Sequence, residues 1–76
     1  MNNKNYNGWA NRETWNVALY AQNDYELYQI ARFCNDWRTF LKLSESIRSE
    51  KTPDGVSWID ENLNVGQLNT MIQGLT

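Results

Sequence analysis

Apolar and polar positions recur along this chain with a helical period, and each run of that period is closed by residues that stop helices. Trp15, Ala18, Leu19 and Gln22 stand at i, i+3, i+4 and i+7, with Val17 and Ala21 widening the stripe. Asn11 precedes them, placed so that its side-chain oxygen can accept from the first free backbone N–H groups. Glu13 falls in the first turn, where a negative charge favours the positive end of the helix dipole. A first helix is predicted over about residues 12–22.

Asn23-Asp24-Tyr25-Glu26 matches a capping box, so a second helix is expected to start there; the competing reading is one helix continuing through residue 34. Leu27, Ile30, Ala31 and Cys34 form the second stripe, flanked by Tyr28 and Phe33, over about residues 24–34. Asn35-Asp36 supplies another cap ahead of Trp37, Phe40, Leu41, Ser44 and Ile47, with Leu43 beside them. The third helix is predicted to run to about residue 49 with Arg38, Lys42, Glu45 and Arg48 on its outer face.

Thr52-Pro53-Asp54-Gly55 is the clearest breaker. Val56-Ser57-Trp58-Ile59 is β-branched and aromatic, but a lone strand would have no partner here, so an extended strap or a single helical turn is expected. Asn64-Val65-Gly66-Gln67 is a third capping-box match. Leu68, Met71, Ile72 and Leu75 give the last stripe, for a helix over about residues 65–73 that stops at Gly74. The fold class that follows is all-α, a compact bundle of three to four short helices. Residues 1–10 read as a partly flexible, Asn-rich arm, and residues 11–76 as a single helical domain. Tyr6 and Trp9 stand out in that arm, because large rings near a terminus usually fold back onto something.

Composition narrows the picture. With 76 residues, the chain sits where folding buries only about 60% of the surface the unfolded form exposes. A second copy would supply burial that so small a core lacks, so homodimerisation is expected. The net charge of −2 leaves no global positive field to attract phosphates. A single cysteine excludes an internal disulfide and suits a reducing compartment. No apolar run approaches the roughly 20 residues of a membrane span, and Met1 to Asn5 lacks the apolar stretch of a secretion signal. The expected location is cytoplasmic, with no membrane partner.

Chemistry is argued against mostly by omission. There is no histidine, the commonest general base and metal ligand. Cys34 lies on an apolar stripe, where a buried inert thiol is expected rather than a nucleophile. Asp60 and Glu61 read as solvated surface charge. The four glycines are scattered, with no phosphate-binding loop, and Asp54-Gly55 is only a fragment of a calcium loop. No catalytic residue, metal site or cofactor is expected, and the protein is read as not an enzyme.

Two binding readings remain. Arg38, Lys42 and Arg48 could form a nucleic-acid face on the third helix, but three cations on a net-acidic domain make a weak footprint. Asp36 also places an acid where the helix would meet the phosphate backbone, which argues against nucleic acid as the partner. A protein partner fits better. Four tryptophans and four tyrosines exceed what the core can enclose, and aromatics are enriched in interface hot spots. Trp15 and Trp37 are expected in the core, whereas Tyr6, Trp9, Tyr20 and Tyr25 are candidates for an exposed patch.

Gly8-Trp9-Ala10-Asn11-Arg12-Glu13-Thr14-Trp15-Asn16-Val17-Ala18-Leu19, followed by Asn23-Asp24-Tyr25-Glu26-Leu27-Tyr28, resembles a family of small phage and phage-derived bacterial proteins. These share an Asn-Arg-Glu-Thr-Trp core, an Asn-Asp pair and a Leu-Tyr. Asp54-Gly55-Val56-Ser57-Trp58 and Leu63-Asn64-Val65-Gly66-Gln67-Leu68 resemble that family's ending. The resemblance implies an accessory viral protein that acts in the infected cell by binding a host or viral protein. It carries over Arg12, Glu13, Trp15 and Asn16 as candidate partner-binding positions. Their structural alternative is that Asn11 caps, Glu13 answers the dipole, Trp15 anchors the core and Arg12 pairs with a nearby carboxylate.

Overall fold

The computed structural model describes residues 6–75. Four helices follow in order: α1 (Arg12–Asn23), α2 (Tyr25–Arg32), α3 (Trp37–Ser44) and α4 (Val65–Gln73). The all-α expectation holds: among the described residues there are no strands, only two isolated β-bridges. α2 and α4 each pack against all three other helices, while α1 and α3 sit on opposite sides of them. The interior is filled by Val17, Ala18 and Ala21 of α1, Leu27 and Ala31 of α2, Trp37 and Phe40 of α3, and Leu68 and Ile72 of α4. Cys34, Val56 and Trp58 close it from the connecting segments.

Every helix begins on a side-chain cap. Asn11, Asp24, Asp36 and Asn64 each accept from the backbone N–H three residues on, which satisfies a donor that the helix itself leaves free. Asp24 serves two helices. Its own N–H closes the end of α1 on the Tyr20 carbonyl, while its carboxylate receives Leu27 N–H at 3.0 Å. That double duty settles the choice between one helix and two, and it places the cap at Asp24 rather than at Asn23.

Helix ends depart further from expectation. α2 stops at Arg32, not Cys34, because Phe33 and Cys34 fold into tight turns on the Ile30 and Ala31 carbonyls. α3 stops at Ser44, five residues short of the expected end. There Ser44 Oγ donates to the Phe40 carbonyl at 2.7 Å, and the Arg48 guanidinium donates to the Leu41 carbonyl at 3.2 Å. Arg48 and, at 3.4 Å, Ser44 Oγ thus occupy the Leu41 carbonyl that the next helical N–H would use, and Glu45 N–H turns instead to the Lys42 carbonyl. Ile47, expected on the stripe, is accordingly half exposed.

The buried face of α1 also differs from the apolar stripe. Thr14, Asn16, Val17, Ala18 and Ala21 are buried, whereas Trp15 and Leu19 are half-buried and Gln22 is exposed. Two polar residues displace the larger apolar ones because each has fixed partners. Thr14 Oγ1 donates to Asn11 Oδ1 at 2.6 Å and accepts Asn64 N–H at 2.9 Å. The Asn11 amide in turn donates to the Asn62 carbonyl at 2.7 Å, so the starts of α1 and α4 are tied together.

The segment between α3 and α4 is a strap, as expected, with one rung of pairing. Lys51 bridges Ser57, and Thr52-Pro53-Asp54-Gly55 turns the chain between them with Gly55 N–H on the Thr52 carbonyl. Gly55 takes φ of +89°, a conformation glycine adopts without strain. Trp58 then enters the core against Trp37 and Phe40, with ring centroids 6.1 Å from each. Neither indole N–H of Trp37 or Trp58 has an acceptor among the described residues.

Candidate protein-interaction surface

The segment ahead of α1 is anchored. Trp9 N–H donates to the Tyr6 carbonyl at 3.0 Å, with Asn7 at φ 58° and Gly8 at φ 91°. Two successive positive φ values define a type I′ turn, for which Asn-Gly is the preferred pair. Gln67 of α4 holds the turn: its amide nitrogen donates to the Gly8 carbonyl at 3.0 Å, and its oxygen accepts Ala10 N–H at 2.8 Å. The expected capping box at Asn64 is therefore half formed. Asn64 caps α4, but Gln67 spends its side chain on the N-terminal turn and leaves Asn64 N–H to Thr14. The remainder of the expected arm, residues 1–5, lies outside the described residues.

Anchoring this turn lays Tyr6 on Trp15, with ring centroids 5.6 Å apart at an interplanar angle of 37°. Trp15 is half-buried on the outer side of α1 rather than in the core. Arg12, Trp15 and Leu19 stand at i, i+3 and i+7, which places them along one outward line of the helix. Arg12 is exposed and makes no hydrogen bond or ion pair with another described residue, so the expected carboxylate partner is not found. Glu13 is half-buried in the first turn of α1. Trp9 packs on the core margin and, with Gly8, Gln67, Thr70 and Met71, lines an open groove of about 480 Å³ beside the Tyr6 turn.

The other candidates lie elsewhere. Asn16 is fully buried and serves a polar clasp. Its amide nitrogen donates to Asp54 Oδ2 at 2.8 Å, and its oxygen accepts the Thr52 hydroxyl at 2.6 Å. Tyr20 donates its phenol to the same Asp54 oxygen at 3.2 Å. Partial burial, then this hydrogen bond and the Asp54 charge, raise the Tyr20 pKa. Asn16 and Tyr20 thus lock the strap to α1, and Tyr20 leaves only part of its ring to solvent. Tyr25 lies apart, three-quarters exposed on α2.

The basic face is reduced. Arg38 and Lys42 are exposed on α3, but Arg48 is not on its outer face as expected. Arg48 folds back beyond the helix end, with Nε on Ser44 Oγ at 3.0 Å and the guanidinium on the Leu41 carbonyl. Asp36 is held below the usual carboxylate range, first by Thr39 N–H and then by the Thr39 side chain. Its negative charge therefore persists at the start of this helix.

Cys34 is buried, and its thiol donates to the Ile30 carbonyl at 3.3 Å. Burial, then the charge of Asp36, raise its pKa and disfavour the reactive thiolate. No three metal-ligating groups gather among the described residues, and no helix there is long and apolar enough to cross a membrane.

Fold and surface together define a small all-α domain in which the N-terminal turn that carries Tyr6 is held to α4 by hydrogen bonds. The chain belongs to a family of unknown function, DUF7249, which matches residues 2–76. No curated protein and no solved structure matches it.

Proposed function

We propose that this protein is a non-catalytic interaction module that binds another protein through the outward side of α1 and the N-terminal turn. What carries the reading is the half-buried Tyr6–Trp15 ring pair on the outer side of α1, which also carries the exposed cation of Arg12, without an ion-pair partner among the described residues. Tyr, Trp and Arg are the residue types that dominate interface hot spots. Their setting also favours binding. The Gln67 clamp holds the Tyr6 turn before any partner arrives, so little ordering entropy is lost on association.

The resemblance to small phage proteins extends the reading to a phage-encoded accessory protein that acts in the cytoplasm of the infected cell. There it would modulate a host protein, in host takeover or in evasion of defence. Nucleic-acid binding through Arg38, Lys42 and Arg48 is the weaker reading, since Arg48 is engaged within its own fold. A direct test is affinity capture from host lysate, comparing the native chain with a Tyr6→Ala/Arg12→Glu variant. The reading expects a host protein retained by the first and lost by the second at equal thermal stability. Equal retention by both would overturn it.

A further inference from the structure

The outer face of α2 is self-complementary, and we infer that two copies of this chain associate through it in antiparallel fashion. Leu27, Ile30, Ala31 and Cys34 turn α2 inward, which leaves Tyr25, Glu26, Tyr28, Gln29, Arg32 and Phe33 on the side away from the core. Tyr25 and Phe33 are 75% and 84% exposed, the two most exposed large apolar side chains among the described residues. They stand at the two ends of an eight-residue helix about 12 Å long, with the charges distributed the same way. Glu26 lies in the first turn and Arg32 in the last.

A two-fold axis passing at Gln29 brings residue 25 opposite residue 33 of the second copy, and residue 26 opposite residue 32. Tyr25 then meets Phe33 at both ends of the contact. Glu26 meets Arg32 twice, and the Gln29 amides meet each other at the axis. The two helix dipoles run in opposition, which also favours this arrangement. Arg32 already lies over the Tyr28 ring at 5.8 Å, so its guanidinium is turned along this face. A parallel arrangement would set Glu26 against Glu26 and Arg32 against Arg32.

The contact is small. Four rings at about 150–250 Å² each bury on the order of 800 Å², at the low end of specific interfaces. Association is therefore expected at high micromolar concentration. Nothing in it uses the α1 surface proposed to bind a partner protein, so either inference can fail alone.

Sedimentation equilibrium of the full chain from about 10 to about 500 µM tests it. The mass is expected to rise from 9.0 kDa toward twice that value. Phe33→Asp should hold the chain monomeric, while Glu26→Arg and Arg32→Glu should each weaken association roughly 3–10-fold by setting like charges opposite each other. Mixing those two single variants restores both opposite-charge pairs and should recover association. Circular dichroism shows whether each variant is folded. A constant 9.0 kDa at the highest concentration would overturn the inference. So would self-association that Phe33→Asp leaves intact, or variants whose mixture stays as weak as each alone, because either places the contact elsewhere.

Discussion

Asn16 carries a primary amide with no access to solvent, and both ends of that amide are used. Removing it strands the Thr52 hydroxyl and takes from Asp54 its shorter hydrogen bond. Asn16→Ala is therefore expected to cost about 2–3 kcal/mol, read as a lower urea midpoint with unchanged slope. Tyr20 reports on the same clasp through pH. Its folded-state pKa lies above the ordinary 10.0, so its contribution is complete below that value in the unfolded chain. The contribution is lost as pH rises through the folded-state value. Alkaline denaturation of the native chain should show this loss, and Tyr20→Phe should remove it; an unchanged alkaline limb would disconnect Tyr20 from stability. Gly8 makes a sharper local demand, since φ of 91° strains any side-chain-bearing residue. Gly8→Ala should lower stability by about 1 kcal/mol and raise proteolytic cleavage near Tyr6.

The helices start where short polar side chains place them and end where hydrogen-bond competition stops them. Starts were legible because a cap and the N–H it satisfies lie three residues apart, as at Asn11 and Thr14 or Asp36 and Thr39. Ends were less so: α4 stops at Gly74 as expected, but the agents that stop α3 include the Ser44 hydroxyl and the Arg48 guanidinium, whose local bonding no apolar stripe reveals. The inward face of α1 departs from its apolar stripe for a longer-range reason. Thr14 is buried because of Asn64 and Asn16 because of Thr52, 50 and 36 residues away. Asn7-Gly8 is a turn signal set within a polar, Asn-rich segment, whose composition alone points to a flexible arm. Asp36 provides the element-scale test. Its pKa is depressed below 3.8, so its stabilisation is present above that value and lost as pH falls through the folded-state pKa. Asp36→Asn keeps an acceptor for Thr39 and should flatten the acid limb of stability with little change at neutral pH.

Across the whole molecule, the Asn-Arg-Glu-Thr-Trp-Asn stretch divides by direction. Asn11, Thr14 and Asn16 face other parts of the chain and hold α1 to α4 and to the Asp54 turn, whereas Arg12 and Trp15 face out. The sequence showed that these residues belong together but not which way each points, and on that the functional reading depends. A radius of gyration of 11.7 Å, against about 11 Å expected for this length, makes the described residues one packed body, and the proposed surface lies on that body, at the outward side of α1 and the N-terminal turn. The most direct measurement is quantitative capture of host proteins by the native chain, Tyr6→Ala/Arg12→Glu and Asn16→Ala, with the thermal midpoint of each recorded alongside. The account predicts that the Tyr6→Ala/Arg12→Glu variant keeps its midpoint and loses a specific protein, while Asn16→Ala lowers the midpoint and retains that protein wherever it is still folded. Retention by the Tyr6→Ala/Arg12→Glu variant, or its unfolding, would contradict the division of inward and outward roles.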